Sequence, residues 1–137
     1  MGYSTDFEGS FELNKLADDE LVNIMNILSG DIHDDEETPG TWCQWELKNR
    51  STIEWDQNEK FYSYVEWLDY IINKILIPRG YVLNGDVTWY GEDNGDTGNI
   101  LVQDNKISVG EVPRGEYVYE DYKSEYTHEE PKGDFEL

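Results

Sequence analysis

Two histidines, one cysteine and 31 carboxylates are the side chains of this sequence that could do chemistry. His33 and His128 lie far apart in acidic stretches, without the spacing of metal ligands or of a base beside a nucleophile. Cys43 reads as a small buried hydrophobe, and as the lone cysteine it excludes an internal disulfide. No HExxH, CxxC, phosphate-binding loop or dinucleotide fingerprint occurs. With 31 carboxylates a pair can be drawn anywhere, so pairing alone says little about acid–base catalysis. That chemistry needs a cleft and separated pKa values. The segment from Glu92 to Asn99 is rich in oxygen ligands, but Thr97 takes the position where a calcium loop needs glycine and Gln103 the one where it needs glutamate. It reads as a turn between strands. No metal or cofactor is expected, and catalysis is the less favoured expectation.

Binding is the better use for so much acid. The 137 residues carry a formal charge of −21, which repels nucleic acid and anionic membranes and suits a strongly basic partner. Arg50 and Arg79 are isolated, so no basic stripe forms. The candidate interaction residues are Asp34, Asp35, Glu36 and Glu37 in a solvated loop, and Glu59, Tyr62, Glu66, Trp67, Asp69 and Tyr70 on the outer side of a long helix. On a helix Glu59 and Glu66 would stand about 10 Å apart. Carboxylates at that scale imitate a run of phosphates, and tyrosine is a common interface anchor. Trp67 sits at the border of the helix core face, so its loss is expected to weaken partner capture more than folding.

The elements that must position these residues are legible from periodicity. Phe7, Phe11 and Leu13 alternate with acids as a first strand. Asp18-Asp19-Glu20 opens a helix, and Leu21, Ile24, Met25 and Leu28 form its apolar stripe before Gly30. Cys43, Trp45 and Leu47, then Ile53 and Trp55, alternate as a hairpin around Asn49-Arg50-Ser51. A helix is predicted over 58–76, with Phe61, Tyr64, Val65, Leu68, Ile71, Ile72 and Ile75 inward and Pro78 ending it. A three-strand meander follows, with Gly85 as a bulge and Asp104-Asn105 as a tight turn. The fold class is α+β: a mostly antiparallel sheet of about six strands, with two helices on one face and the other face polar. Residues 1–110 form one domain, and 111–137 an acidic, tyrosine-rich, partly ordered extension that adds a strand near 116–122. The start of the chain has no basic or apolar leader, which with one cysteine points to the cytoplasm.

Over residues 1–110 the chain resembles a family of small, acidic, uncharacterised bacterial and phage-borne proteins. The resemblance rests on Trp42-Cys43-Gln44-Trp45, Ile53-Glu54-Trp55-Asp56, Glu59-Lys60-Phe61-Tyr62, Tyr64-Val65-Glu66-Trp67-Leu68 and Gly80-Tyr81-Val82-Leu83-Asn84-Gly85. Trp89, Gly91-Glu92-Asp93 and Asp104-Asn105 extend it. It implies an intracellular protein and carries over no catalytic residues. A phage setting favours an inhibitor of host defence.

Three functions follow in order. The first is a non-catalytic acidic binding protein, a nucleic-acid mimic that inhibits a basic nucleic-acid-binding protein. The second is an adaptor that binds through aromatic contacts and tolerates salt. The third is a carboxylate-dependent hydrolase.

Overall fold

The computed structural model describes residues 3–33, 37–111 and 117–128. Seven strands form one antiparallel sheet: β1 (Thr5–Leu13), β2 (Trp45–Leu47), β3 (Thr52–Trp55), β4 (Leu83–Gly91), β5 (Thr97–Gln103), β6 (Lys106–Glu111) and β7 (Val118–Asp121). Their order across the sheet is β2-β3-β1-β4-β5-β6-β7. Two helices, α1 (Asp19–Gly30) and α2 (Tyr64–Tyr70), pack against it. The α+β class expected from periodicity is the observed one.

Alternation explains the sheet. Phe7, Phe11 and Leu13 are buried, while Glu8 and Glu12 between them are exposed. The two long strands β1 and β4 pair residue for residue from Thr5↔Gly91 to Leu13↔Leu83. Gly85 therefore pairs one-for-one with Phe11 and is not the bulge expected from its position. What it provides is close approach. Its φ is +139°, and a Cβ there would stand 2.6 Å from the Ser10 carbonyl oxygen. Asp104 and Asn105 are both left-handed, as a two-residue hairpin turn of this hand requires.

The core is aromatic where β1, the β2–β3 hairpin and α2 meet. The Phe7 ring lies 5.6 Å from Trp45, 5.7 Å from Phe61 and 5.0 Å from Tyr64, all tilted or edge-on. Such pairs contribute roughly 0.5–1.5 kcal/mol each beyond their buried area. Helix α1 begins as expected: the Asp18 carboxylate accepts the Leu21 N–H at 2.9 Å.

The second helix departs from its periodicity. It begins at Tyr64 rather than Asn58, because side chains capture the preceding backbone. The Asp56 carboxylate accepts the Asn58 N–H, Trp55 Nε1 donates to the Asn58 carbonyl, and Gln44 Nε2 donates to the Glu59 carbonyl. Gln57, Lys60 and Ser63 all adopt positive φ, which a helix forbids. After Tyr70 the chain widens into a π-helical turn (Ile71–Leu76) and then tightens into a 3₁₀ turn (Ile77–Arg79). The π-helical turn breaks, from Ile71 onward, the 100° repeat on which the assignment of helix faces rested.

β7 and the described residues after it, as far as His128, are bonded to the sheet and the second helix. β7 pairs with β6, and the Tyr122 N–H donates to the Ile107 carbonyl at 2.9 Å.

Candidate functional site

The structure separates the predicted interaction residues. Asp34, Asp35 and Glu36 lie outside the described residues, and Glu37 is exposed beside them. Glu59 and Tyr62 are exposed, but on the irregular stretch before α2. The helical spacing of Glu59 and Glu66 therefore does not exist. Glu66 and Tyr70 are half-buried on α2.

Trp67 and Asp69 are corrections: Trp67, expected at the border of the helix core face, and Asp69, expected on its outer face, are both buried. Trp67 is 0% exposed. The His33 ring packs 5.2 Å from it and Tyr70 5.6 Å, and Gly40 lies against its indole nitrogen, so the chain around the α1–β2 connection covers it. Asp69 is 1% exposed because the segment after β7 crosses it. Its Oδ1 accepts from Ser124 Oγ at 2.6 Å and Asn73 Nδ2 at 2.7 Å, and its Oδ2 accepts the Glu125 N–H at 2.9 Å. His128 Nδ1 donates to Asn73 Oδ1 at 2.8 Å. These are structural bonds. Apart from the Asp69–Asn73 bond, one helical turn long, the sequence held no local sign of them, because they join residues more than 50 positions apart.

Other chemically capable groups are also absorbed by the fold. His33 Nε2 donates to the Leu28 carbonyl at 2.7 Å. Cys43 is buried and its thiol is pushed up to about 12 by desolvation, so it stays protonated and inert at neutral pH. In the turn after β4, Asp96 accepts from the Tyr3 hydroxyl at 2.6 Å and from Trp89 Nε1 at 3.0 Å. It is an internal acceptor rather than a cation ligand. Among the described residues no three His, Cys, Asp or Glu side chains gather as a metal-holding group.

What the topology does bring together is the polar face of the sheet, opposite the buried side chains. The registers place Glu46 and Glu54, then Asp6, Glu8 and Glu12, then Asp86, and finally Asp121 on this face. Lys48 and Lys106 share their strand parity, and Lys48 is tied to Glu54 at 3.1 Å. Carboxylates two residues apart on one strand stand about 6.8 Å apart. Among the described residues no helix covers this face. The Glu46 carboxyl is held above its ordinary range, first by partial burial and then by the charges of Asp56 and Glu54.

Three tyrosines rise from the same face. Tyr90, Tyr117 and Tyr119 are exposed, and the rings of Tyr117 and Tyr119 stand 5.9 Å apart. Tyr119 lies over Gly110, where any Cβ would strike its ring. Its hydroxyl donates to Asn99 Oδ1 at 2.8 Å, and Asn99 Nδ2 donates to Asp86 and Thr88, each at 3.0 Å. The Tyr90 hydroxyl donates to Glu8 at 3.3 Å. Tyrosine and carboxylate are thus interleaved on one platform. Alternation alone marks these positions as outward, but the three tyrosines come from β4 and the β7 region, which only the sheet order unites.

No family model, curated protein or solved structure matches the chain. Among the described residues no helix is long and apolar enough to cross a membrane.

Proposed function

We propose that this chain is a non-catalytic acidic binding protein that takes a basic protein onto the open face of its sheet, as a nucleic-acid mimic does. One observation carries the reading: a sheet face that no described helix covers, on which the described residues place seven carboxylates against two lysines, interleaved with three exposed tyrosines. Rows of carboxylates supply a field that steers a Lys- and Arg-rich surface. The tyrosines supply flat contact area with a polar tip at low cost in side-chain entropy. The surface that was expected to bind, along α2, offers less, because Trp67 and Asp69 are covered.

The test compares two variants of equal charge. One neutralises the sheet face as Asp6→Asn, Glu8→Gln, Glu12→Gln and Glu54→Gln. The other neutralises loops as Asp31→Asn, Glu59→Gln, Glu92→Gln and Asp93→Asn. A basic partner captured by the native chain at about 0.1 M salt and weakened at about 0.5 M should be lost by the first variant and kept by the second. Equal capture by both variants would refute the sheet-face reading. Capture that resists salt and is lost on replacing Tyr90, Tyr117 and Tyr119 with Ser would favour an adaptor instead.

A further inference from the structure

A cavity of about 650 Å³ opens at one end of the sheet, between the π-helical turn, the β5–β6 turn and the segment after β7. That volume suits a small organic molecule. Ile77, Tyr81, Ile107 and Tyr122 give it apolar and aromatic walls. One wall is the helix where it changes pitch, a rare geometry found often at functional sites.

The charges around it have one dominant sign. Among the described lining residues Asp69, Asp104 and Asp121 stand against Lys106, and His128 bonds Asn73 there. The oxygens of Asp69 already serve three donors. Asp104 and Asp121 are exposed at the rim, and Asp121 receives a long 3.5 Å contact from Ser108. The net charge of −21 concentrates cations at such a mouth and repels anions. The tyrosine walls add to this, since aromatic faces attract cations. The Tyr81 ring already carries the Lys15 ammonium 4.8 Å from its centre, so Tyr122 is the wall whose face remains for a ligand.

We propose that this cavity binds a small organic cation, a primary amine on an aromatic or branched aliphatic body. The body lies against Ile77, Ile107 and the tyrosine rings, and the ammonium meets Asp104 and Asp121 at the rim. The cavity shares only Asp121 and Lys106 with the protein-binding face. Its test avoids Asp121, whose strand parity it shares with that face.

The experiment titrates the ¹⁵N-labelled full chain at about 0.15 M salt, where weak surface attraction is screened. The probes are phenethylamine, phenylacetate and spermidine, each to about 10 mM, tenfold above a millimolar Kd. Phenethylamine should give saturable shifts at the amides of Asn73, Tyr81, Asn105, Ile107 and Ser124. Phenylacetate should give none, and spermidine only weak, scattered ones. Asp104→Asn keeps the left-handed turn that asparagine tolerates, so it should weaken phenethylamine several-fold while leaving the thermal melt unchanged. Ile107→Trp should fill the cavity and abolish binding. The proposal fails if phenylacetate binds as well as the amine or spermidine reproduces its shifts. It also fails if the amine does not saturate, or if Asp104→Asn leaves its affinity unchanged.

Discussion

Trp67 shows how a single side chain changes role once its cover is known. On a bare helix its position borders the apolar stripe, and an exposed tryptophan beside Glu66 would be an interface anchor. In the folded chain His33, Gly40 and Tyr70 enclose it. Trp67→Ala is therefore expected to cost about 3–5 kcal/mol of stability through the cavity it leaves. A thermal melt should fall by roughly 10 °C, since one kcal/mol moves a domain of this size by about 3 °C. Glu46 supports a second prediction of opposite sign. Its carboxyl is raised from the ordinary 4.5 by burial, Asp56 and Glu54, so the folded state disfavours its ionised form. The stability linked to this group is fully present below the ordinary carboxylate range and is lost as pH rises through the raised value. Glu46→Gln should then be more stable than the native chain at pH 7, by about 0.5 kcal/mol for a group mostly in water. The gap should close as the melts are moved to pH 4 and below. A gap that widens in acid would contradict the assigned cause.

Elements were legible wherever burial follows a simple period. The strands β1 to β6, the first helix, and the turns at Asn49-Arg50-Ser51 and Asp104-Asn105 follow from alternation and turn chemistry. The second helix was legible only in part. Its start is decided by Asp56, Trp55 and Gln44 side chains bonding the backbone of Asn58 and Glu59, and its later turns change pitch. Neither effect has a hydrophobic period, and the outer face assigned to Asp69 is covered by the segment after β7, which no helical period announces. The candidate site was legible as outward strand positions but not as a platform, because neighbours across a sheet are set by strand order. The same long-range logic governs the segment after β7. Asp69 alone accepts from Ser124, Asn73 and the Glu125 N–H, so it clips this segment to the helix. Asp69→Ala should leave the Glu125 N–H without its acceptor, while Asn73 keeps the residue 69 carbonyl and Ser124 the Tyr126 carbonyl, and should cost about 1–3 kcal/mol. Amide exchange should accelerate first at Glu125 and Tyr122 and least in β1 and β4. Uniform acceleration across the sheet would mean that the clip is no separate unit.

The charge of the whole molecule opposes its own fold, and the arrangement of that charge decides how strongly. Few carboxylates have a cationic partner among the described residues: Lys48 serves Glu54, Arg50 serves Asp19 and Arg79 serves Glu20. These pairs are largely exposed and add little. The remaining repulsion is spread over the surface, where mobile ions screen it. The Debye length falls from about 14 Å to about 4 Å between 0.05 and 0.5 M salt. Across that range the melting temperature should rise by about 3–6 °C, from roughly 1–2 kcal/mol of relieved repulsion. The two charge-neutralised variants separate the contributions. If the sheet face is the most crowded region, neutralising Asp6, Glu8, Glu12 and Glu54 should flatten the salt dependence more than neutralising four loop carboxylates, although both remove the same charge. This would be a native face whose repulsion is unrelieved until a basic surface meets it, and stability and partner capture would then respond to salt in opposite directions. Equal salt slopes in the two variants would mean that the repulsion is a property of net charge alone, and that the sheet face holds no special share of it.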